Sequence, residues 1–225
     1  MYIVAIVIAI ISAVVCFITL DKELSDKTRL LRATVPDEVD NREINRTTRL
    51  IICICILLVT LAATLYMASQ EIDWLGFIKM SIGTICLSGA ACNDFREHRI
   101  PNVFPLIMAV SAIILLGIGF FTSQNGSTAY IFSSIFAAVV VAIFMVLASL
   151  LTKRGIGMGD IKLLTALALL GGVHTIGWTL TFGVGICAIV AVILLVTKKK
   201  TIKGAMPFGP FVFIGYILTI FLNKY

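Results

Sequence analysis

Long apolar stretches separated by short polar ones run along the whole chain. A helix that crosses a membrane needs about 20 mostly apolar residues. Stretches approaching that length lie at 1–20, 50–68, 75–93, 103–122, 129–151, 158–174, 177–197 and 206–222. Because unpaired backbone N–H and C=O groups are too costly in lipid, each spanning stretch must be helical. The pattern therefore predicts an all-α, polytopic membrane protein with about eight transmembrane helices.

The composition agrees with this pattern and excludes an ordinary water-soluble domain. The 225 residues are 60% hydrophobic and 13% charged, whereas a soluble domain is about 45–50% apolar and about 25% charged. The mean hydropathy is +1.07. The lipid bilayer is therefore a predicted partner of this chain.

Positive charges lie almost entirely in alternate connections between the predicted helices. Only Lys79 and Lys224, of the 18 Lys and Arg residues, depart from this arrangement. The others lie in or beside four connections, at 21–49, 94–102, 153–162 and 198–203. Cytoplasmic loops carry an excess of Lys and Arg, so these connections are predicted in the cytoplasm and both termini outside. The net charge of +6 therefore indicates orientation in a cell membrane, and no nucleic-acid partner is predicted.

The stretch 158–197 decides whether this arrangement holds. As a single span it would move the lysines of 198–203 to the outside. Gly171, Gly172 and Gly177 offer a turn, so two spans are predicted. The first of them is short, about 24 Å for 16 residues at about 1.5 Å per residue.

Two regions are predicted along the chain. Residues 1–68 form a two-helix membrane region with a cytoplasmic polar segment at 21–49, and residues 75–222 form a catalytic membrane core. The N-terminus lacks a basic region before its apolar run, so it is interpreted as a first spanning helix and not as a cleaved signal peptide. The segment 21–49 has too few large apolar residues to fold as a domain.

The six cysteines lie in or at the edge of apolar stretches, and none forms a C-x-x-C pair. They are interpreted as small buried hydrophobic residues, and not as disulfides or metal ligands.

Acidic residues are scarce, and two of them stand in unusual places. Most of the twelve lie in 21–43 or in the predicted outer connection near Asp73. Asp94 ends the third predicted span, before Pro101, which is expected to open the fourth helix. Asp160 begins the sixth, after the glycine-rich stretch GIGMG. An ionisable group at such a depth is a functional hypothesis by default, although Asp160 alone is also a plausible helix cap.

The two carboxyl groups are predicted on the same side of the membrane and at similar depth. If they are close, they cannot both ionise cheaply, and they share a proton. One can then activate water while the other protonates the reacting group, which is aspartyl protease chemistry. His98 and His174 are predicted on opposite sides, so no serine–histidine pair is available. No cluster of His and Glu suggests zinc, and no metal is predicted.

Three elements in order resemble the prepilin peptidases, which are bacterial type IV leader peptidases and membrane aspartyl proteases. Asp94 is followed by Ile100-Pro101-Asn102, a G-x-G-D motif ends at Asp160, and residues 206–211 read MPFGPF. The resemblance covers about 85–222.

The resemblance implies that Asp94 and Asp160 are the catalytic pair. The implied substrate and partner is a type IV prepilin, or a pilin-like precursor of a secretion, Tad or competence system, cut at the cytoplasmic membrane face. The residues implied to shape the site or bind the substrate are Pro101, Asn102, Gly157, Gly159, Lys162, Pro207 and Gly209. Arg96, Arg99 or Lys162 could also pair with an acidic residue just after the scissile bond.

One departure from the larger members of that family concerns cofactors. Those enzymes carry a cysteine-rich zinc segment between the first two spans, and they also N-methylate the product. Residues 21–49 contain no cysteine, which excludes such a zinc site there. No cofactor is therefore predicted, and S-adenosylmethionine would be one only in a bifunctional enzyme.

Two other functions remain open. Intramembrane proteases of the presenilin or signal-peptide-peptidase type share G-x-G-D, but they have an aspartate deep within a helix and a P-A-L motif near the end. A non-catalytic membrane subunit or transporter that conducts protons would need acids near mid-membrane.

Overall fold

The computed structural model describes residues 3–12, 14–15, 46–70, 72–97, 99–122, 127–152, 157–197 and 207–222. These residues form helices and contain no strand. The helices are α1 (Ile3–Ser12), α2 (Arg46–Ser69), α3 (Trp74–Glu97), α4 (Val103–Phe121), α5 (Ser127–Leu151), α6 (Met158–Val196) and α7 (Gly209–Leu222). The predicted all-α class is confirmed for the described part of the chain.

Several of these helices have the length and composition of membrane spans. Four stretches are long and apolar enough to cross a bilayer, namely Trp74–Phe95, Val103–Phe121, Thr128–Leu151 and Met158–Val196, while α1, α7 and Ile54–Ser69 are apolar but shorter. Helices α4 and α5 also expose large apolar side chains such as Ile113, Phe132 and Phe144. An apolar surface of this extent belongs against lipid. The total of about eight spans stays a prediction.

Much of the charge that predicted the orientation lies outside the described residues. This applies to 21–45, Lys153, Arg154 and 198–203. The cytoplasmic placement of the basic connections and the division into residues 1–68 and 75–222 therefore stay predictions.

Helix α3 packs closely on α7. The hydroxyl of Tyr216 lies over Gly83, where any Cβ would overlap with it. The same hydroxyl donates a hydrogen bond to the carbonyl oxygen of Met80 at 3.1 Å. Because Gly83 has no side chain, the aromatic ring of α7 can reach the backbone of α3. This contact orients the two helices, and it leaves Tyr216 only 2% exposed.

Helix α6 is interrupted at Gly172, which has φ 72° and ψ −178°. These angles lie outside the helical region, and residues other than glycine rarely adopt them. Helix α5 satisfies backbone groups beside the break: the hydroxyl of Tyr130 donates to Leu170 O at 2.6 Å, and the amide of Val173 donates to Ser133 Oγ at 3.2 Å. The interruption lies within the turn that Gly171, Gly172 and Gly177 predict. Only Gly172 departs from helical backbone angles.

The two segments of α6 run in opposite directions. The first segment begins near the end of α3, where the charge of Asp94 acts on Asp160. It ends at the break. Along the second, Thr179 lies against Gly215 in the middle of α7, whereas Gly183 lies against Phe211 near its start. That start also lies beside the end of α3. Both ends of α6 therefore point toward the same end of the bundle.

The interpretation of the cysteines is wrong for one residue. Cys86 is a free, buried thiol, and Cys55 and Cys187 are also free. Cys92, however, is disulfide-bonded. An apolar sequence context indicates burial, but it does not reveal whether a second sulfur lies within bonding distance.

Candidate active site

Asp94 lies on the last turn of α3, and its side chain is only 5% exposed. The backbone N–H of Gly209, the first residue of α7, donates a hydrogen bond to Asp94 Oδ2 at 2.6 Å. The first N–H groups of a helix have no partner within that helix, so the start of α7 can orient the buried carboxyl group.

A side chain at position 209 would crowd Asp94. A Cβ there would lie 3.0 Å from Asp94 Cβ, 3.1 Å from Asp94 Oδ2 and 3.4 Å from Ala91 Cα. Gly209, which the sequence indicated as a substrate-binding residue, is thus placed in direct contact with Asp94. Pro207 lies two residues earlier, outside α7 and half-buried. Met206, which begins the MPFGPF motif, lies outside the described residues.

Asp160 lies in the first turn of α6, and Gly157 is the N-cap. The amides of Asp160 and Ile161 both donate to Gly157 O, at 3.1 and 3.3 Å. The backbone of Gly157 also hydrogen-bonds the carboxyl group. A Cβ on Gly157 would lie 3.1 Å from Asp160 Oδ2. The carboxyl group therefore folds back over its own N-cap, and glycine at position 157 leaves room for it.

The two motif carboxyl groups lie at the same end of the bundle. Asp160 lies close enough to Asp94 for the charge of Asp94 to act on it. Asp160 Oδ1 is buried and has no hydrogen-bond partner among the described residues. Two carboxyl groups that influence each other, one of them with an unpartnered oxygen atom, have the chemistry to bind a water molecule and to exchange protons with it.

The remaining predicted residues join the two motif segments to each other. A Cβ on Gly159 would lie 3.0 Å from Ile100 Cβ and 3.2 Å from Ile100 O, so the start of α6 packs directly on the connection between α3 and α4. Lys162 Nζ donates to Asn102 Oδ1 at 3.0 Å, and this bond is exposed. Pro101 is exposed beside Asn102.

The expected helix start at Pro101 is wrong by two residues. Helix α4 begins at Val103, and Asn102 is its N-cap. The side chain of Asn102 makes no capping hydrogen bond, and its backbone is in the helical region. Its carbonyl oxygen accepts from Lys162. Two other predicted features, the side chain of Arg96 and residue His98, lie outside the described part.

Residues 81–197 match the model of the type IV leader peptidase family. The chain belongs to this family. The matched region contains both Asp94 and Asp160 but ends before α7, so Gly209 lies outside it. No curated protein and no solved structure matches the chain.

Membership of the type IV leader peptidase family identifies the protein as a protease. Its apolar helices are those of a membrane protein, which agrees with the composition. The resemblance to prepilin peptidases inferred from the three sequence elements is confirmed by the family match. The roles of individual site residues, the substrate and the absence of a cofactor stay predictions.

Proposed function

We propose that the protein is a multi-pass membrane aspartyl endopeptidase that removes the N-terminal leader from type IV prepilins or pilin-like precursors. Membership of the leader peptidase family supports this substrate class. The aspartyl mechanism rests on one observation: Asp94 and Asp160 are near enough for the charge of Asp94 to act on Asp160. The basic connections favour cleavage at the cytoplasmic face of the cell membrane.

In this mechanism the two carboxyl groups share one proton and hold a water molecule between them. The ionised carboxylate takes a proton from the water while the oxygen of the water attacks the scissile carbonyl carbon. The protonated carboxyl group gives its proton to the carbonyl oxygen. Collapse of the tetrahedral intermediate then breaks the C–N bond, and a proton passes to the leaving amine. Neither a metal nor an organic cofactor takes part.

The two carboxyl groups have different surroundings, which suits a mechanism in which one acts as the base and the other as the acid. Asp94 is held in place by the Gly209 amide, so its orientation is fixed before substrate arrives. Asp160 Oδ1 lacks a protein partner in the described structure, so it is available to the water or to the substrate carbonyl. Such preorganisation reduces the rearrangement needed to reach the transition state.

The test is cleavage of a prepilin by the purified, detergent-solubilised protein, with both products analysed by mass spectrometry. We expect one cut between the leader and the apolar helix of the pilin. A cut within the apolar helix would instead indicate a presenilin-type protease. No cleavage of any pilin-like precursor would favour a non-catalytic membrane protein. The mass of the new N-terminus also reports whether it is methylated.

Replacing Gly209 by alanine is expected to lower the cleavage rate by at least about tenfold. The new Cβ cannot stay 3.0 Å from Asp94 Cβ, so the carboxyl group must move, and a displacement of about 1 Å can cost on the order of 10²-fold in rate. Steady-state cleavage by the purified variant measures the effect.

Gly117→Ala in α4 is the matched control, because nothing lies within 4 Å of a Cβ there. This variant should cleave at the normal rate. Equal rates for Gly209→Ala and Gly117→Ala would show that the start of α7 does not position Asp94.

A further inference from the structure

The first turn of α6 is held on the α3–α4 connection at two points. Gly159 packs on the backbone of Ile100, and Lys162 donates to the side chain of Asn102 at 3.0 Å. Asn102 does not use this side chain to cap α4, although asparagine is among the preferred N-cap residues. Its side-chain oxygen is therefore directed at Lys162, and the bond joins two segments that are 60 residues apart in sequence.

These two contacts lie on a different side of α6 from the carboxyl group. Residues two apart on a helix do not share a face, so Lys162 reaches the exposed rim of the site while Asp160 turns inward to Asp94. The interaction between the two carboxyl groups themselves is repulsive when both are ionised. An ionised pair would therefore not by itself keep the start of α6 in place.

We infer that Lys162 and Asn102 are positioning residues. Their hydrogen bond, here called the clasp, holds the first turn of α6 against the α3–α4 connection and so sets the placement of Asp160 relative to Asp94. This inference rests on the proposed function, and it differs from the substrate-binding role that the family resemblance implies for the two residues. Loss of the clasp should slow the chemical step and lower kcat, whereas loss of a substrate contact at the rim should weaken binding and raise KM.

The test compares Lys162→Met, Asn102→Ala and the double variant in steady-state prepilin cleavage. We expect each single variant to lower kcat by about tenfold or more, since small displacements of a reacting group are costly, with KM within about twofold of normal. The double variant should be no worse than either single one, because both remove the same bond. Asn102→Asp, which keeps an acceptor oxygen, should restore most of kcat.

Ser111→Ala is the control on α4, since that exposed hydroxyl bonds only to Ile107 O of its own helix. It should leave kcat and KM unchanged. A rise in KM alone for Lys162→Met and Asn102→Ala would overturn the clasp in favour of substrate binding. An unchanged kcat in both variants would also overturn it.

Hydrogen exchange separates failure of the clasp from failure of the proposed function. If the native protein cleaves no precursor, the proposed function fails, and the clasp is then judged by the exchange of the Asp160 and Ile161 amides, which bond to Gly157 O. Faster exchange of these amides in Lys162→Met and Asn102→Ala, but not in Asn102→Asp, supports the clasp. Native exchange rates in all three variants would overturn it.

Discussion

Replacing either Asp94 or Asp160 by asparagine is expected to reduce leader cleavage by about 10³-fold or more, while the protein still inserts into the membrane. Asparagine has nearly the shape of aspartate, so the buried packing of Asp94 survives and its side-chain oxygen can still accept from the Gly209 amide. It cannot take or give the shared proton, and general acid–base catalysis contributes about 10²–10⁴-fold for each group. The measurement is the fraction of co-expressed prepilin that loses its leader.

The matched control is Asp73→Asn, which changes an exposed acid that precedes α3. This variant should process prepilin at the native rate. The Asp94→Asn, Asp160→Asn double variant should be about as inactive as either single one, because groups that act as a unit are strongly non-additive. Normal processing by either single variant would rule out the two-aspartate mechanism while leaving the family assignment intact.

Replacing Gly215 by alanine is expected to lower the free energy of unfolding by about 3 kcal/mol, the upper end of the usual cost of overpacking. A Cβ there would lie 2.5 Å from Thr179 O, 2.6 Å from Gly183 N and 2.9 Å from Gly183 Cα. All three are backbone atoms of α6, which cannot rotate away as a flexible side chain can. Helix α7 would have to move outward and would strain the buried hydrogen bond between Thr179 and Thr219, whose hydroxyl oxygens are 3.3 Å apart.

Thermal unfolding in detergent measures this change. A loss of about 3 kcal/mol corresponds to a fall in Tm of roughly 6–12 °C for a chain of this size. Gly185→Ala, in the same segment of α6, has open space around the new Cβ and should leave Tm unchanged or slightly higher. Equal Tm values for the two variants would contradict the close packing of α6 on α7.

Apolar periodicity predicted the helices well, and their ends less well. The predicted spans 103–122 and 129–151 agree with α4 (Val103–Phe121) and α5 (Ser127–Leu151) to within two residues. The span predicted at 206–222 begins three residues early, since α7 starts at Gly209. Hydrophobicity locates the stretch that can contact lipid, whereas caps and neighbouring helices decide where a helix stops.

The turn within α6 shows which features local sequence can predict and which it cannot. Gly171, Gly172 and Gly177 predicted a turn between spans at 158–174 and 177–197. The break lies at Gly172, inside the first of these spans, and Gly172 adopts the positive φ that glycine allows at low cost. The partners of the break, Tyr130 and Ser133 of α5, were not predicted, because they lie 40 residues away in the chain. Which backbone groups a neighbouring helix satisfies depends on packing, and no local pattern encodes it.

By itself, the sequence determined the all-helical class, the family and the two acids most worth testing. Long apolar runs leave the backbone no alternative to helix in lipid, and isolated carboxyl groups beside such runs are functional hypotheses by default. Only the tertiary structure decided which groups lie around those acids: Gly209 donates to Asp94, and Lys162 donates to Asn102 near the start of α6. These contacts join residues 115 and 60 positions apart, so they exist only because helices distant in the chain pack side by side.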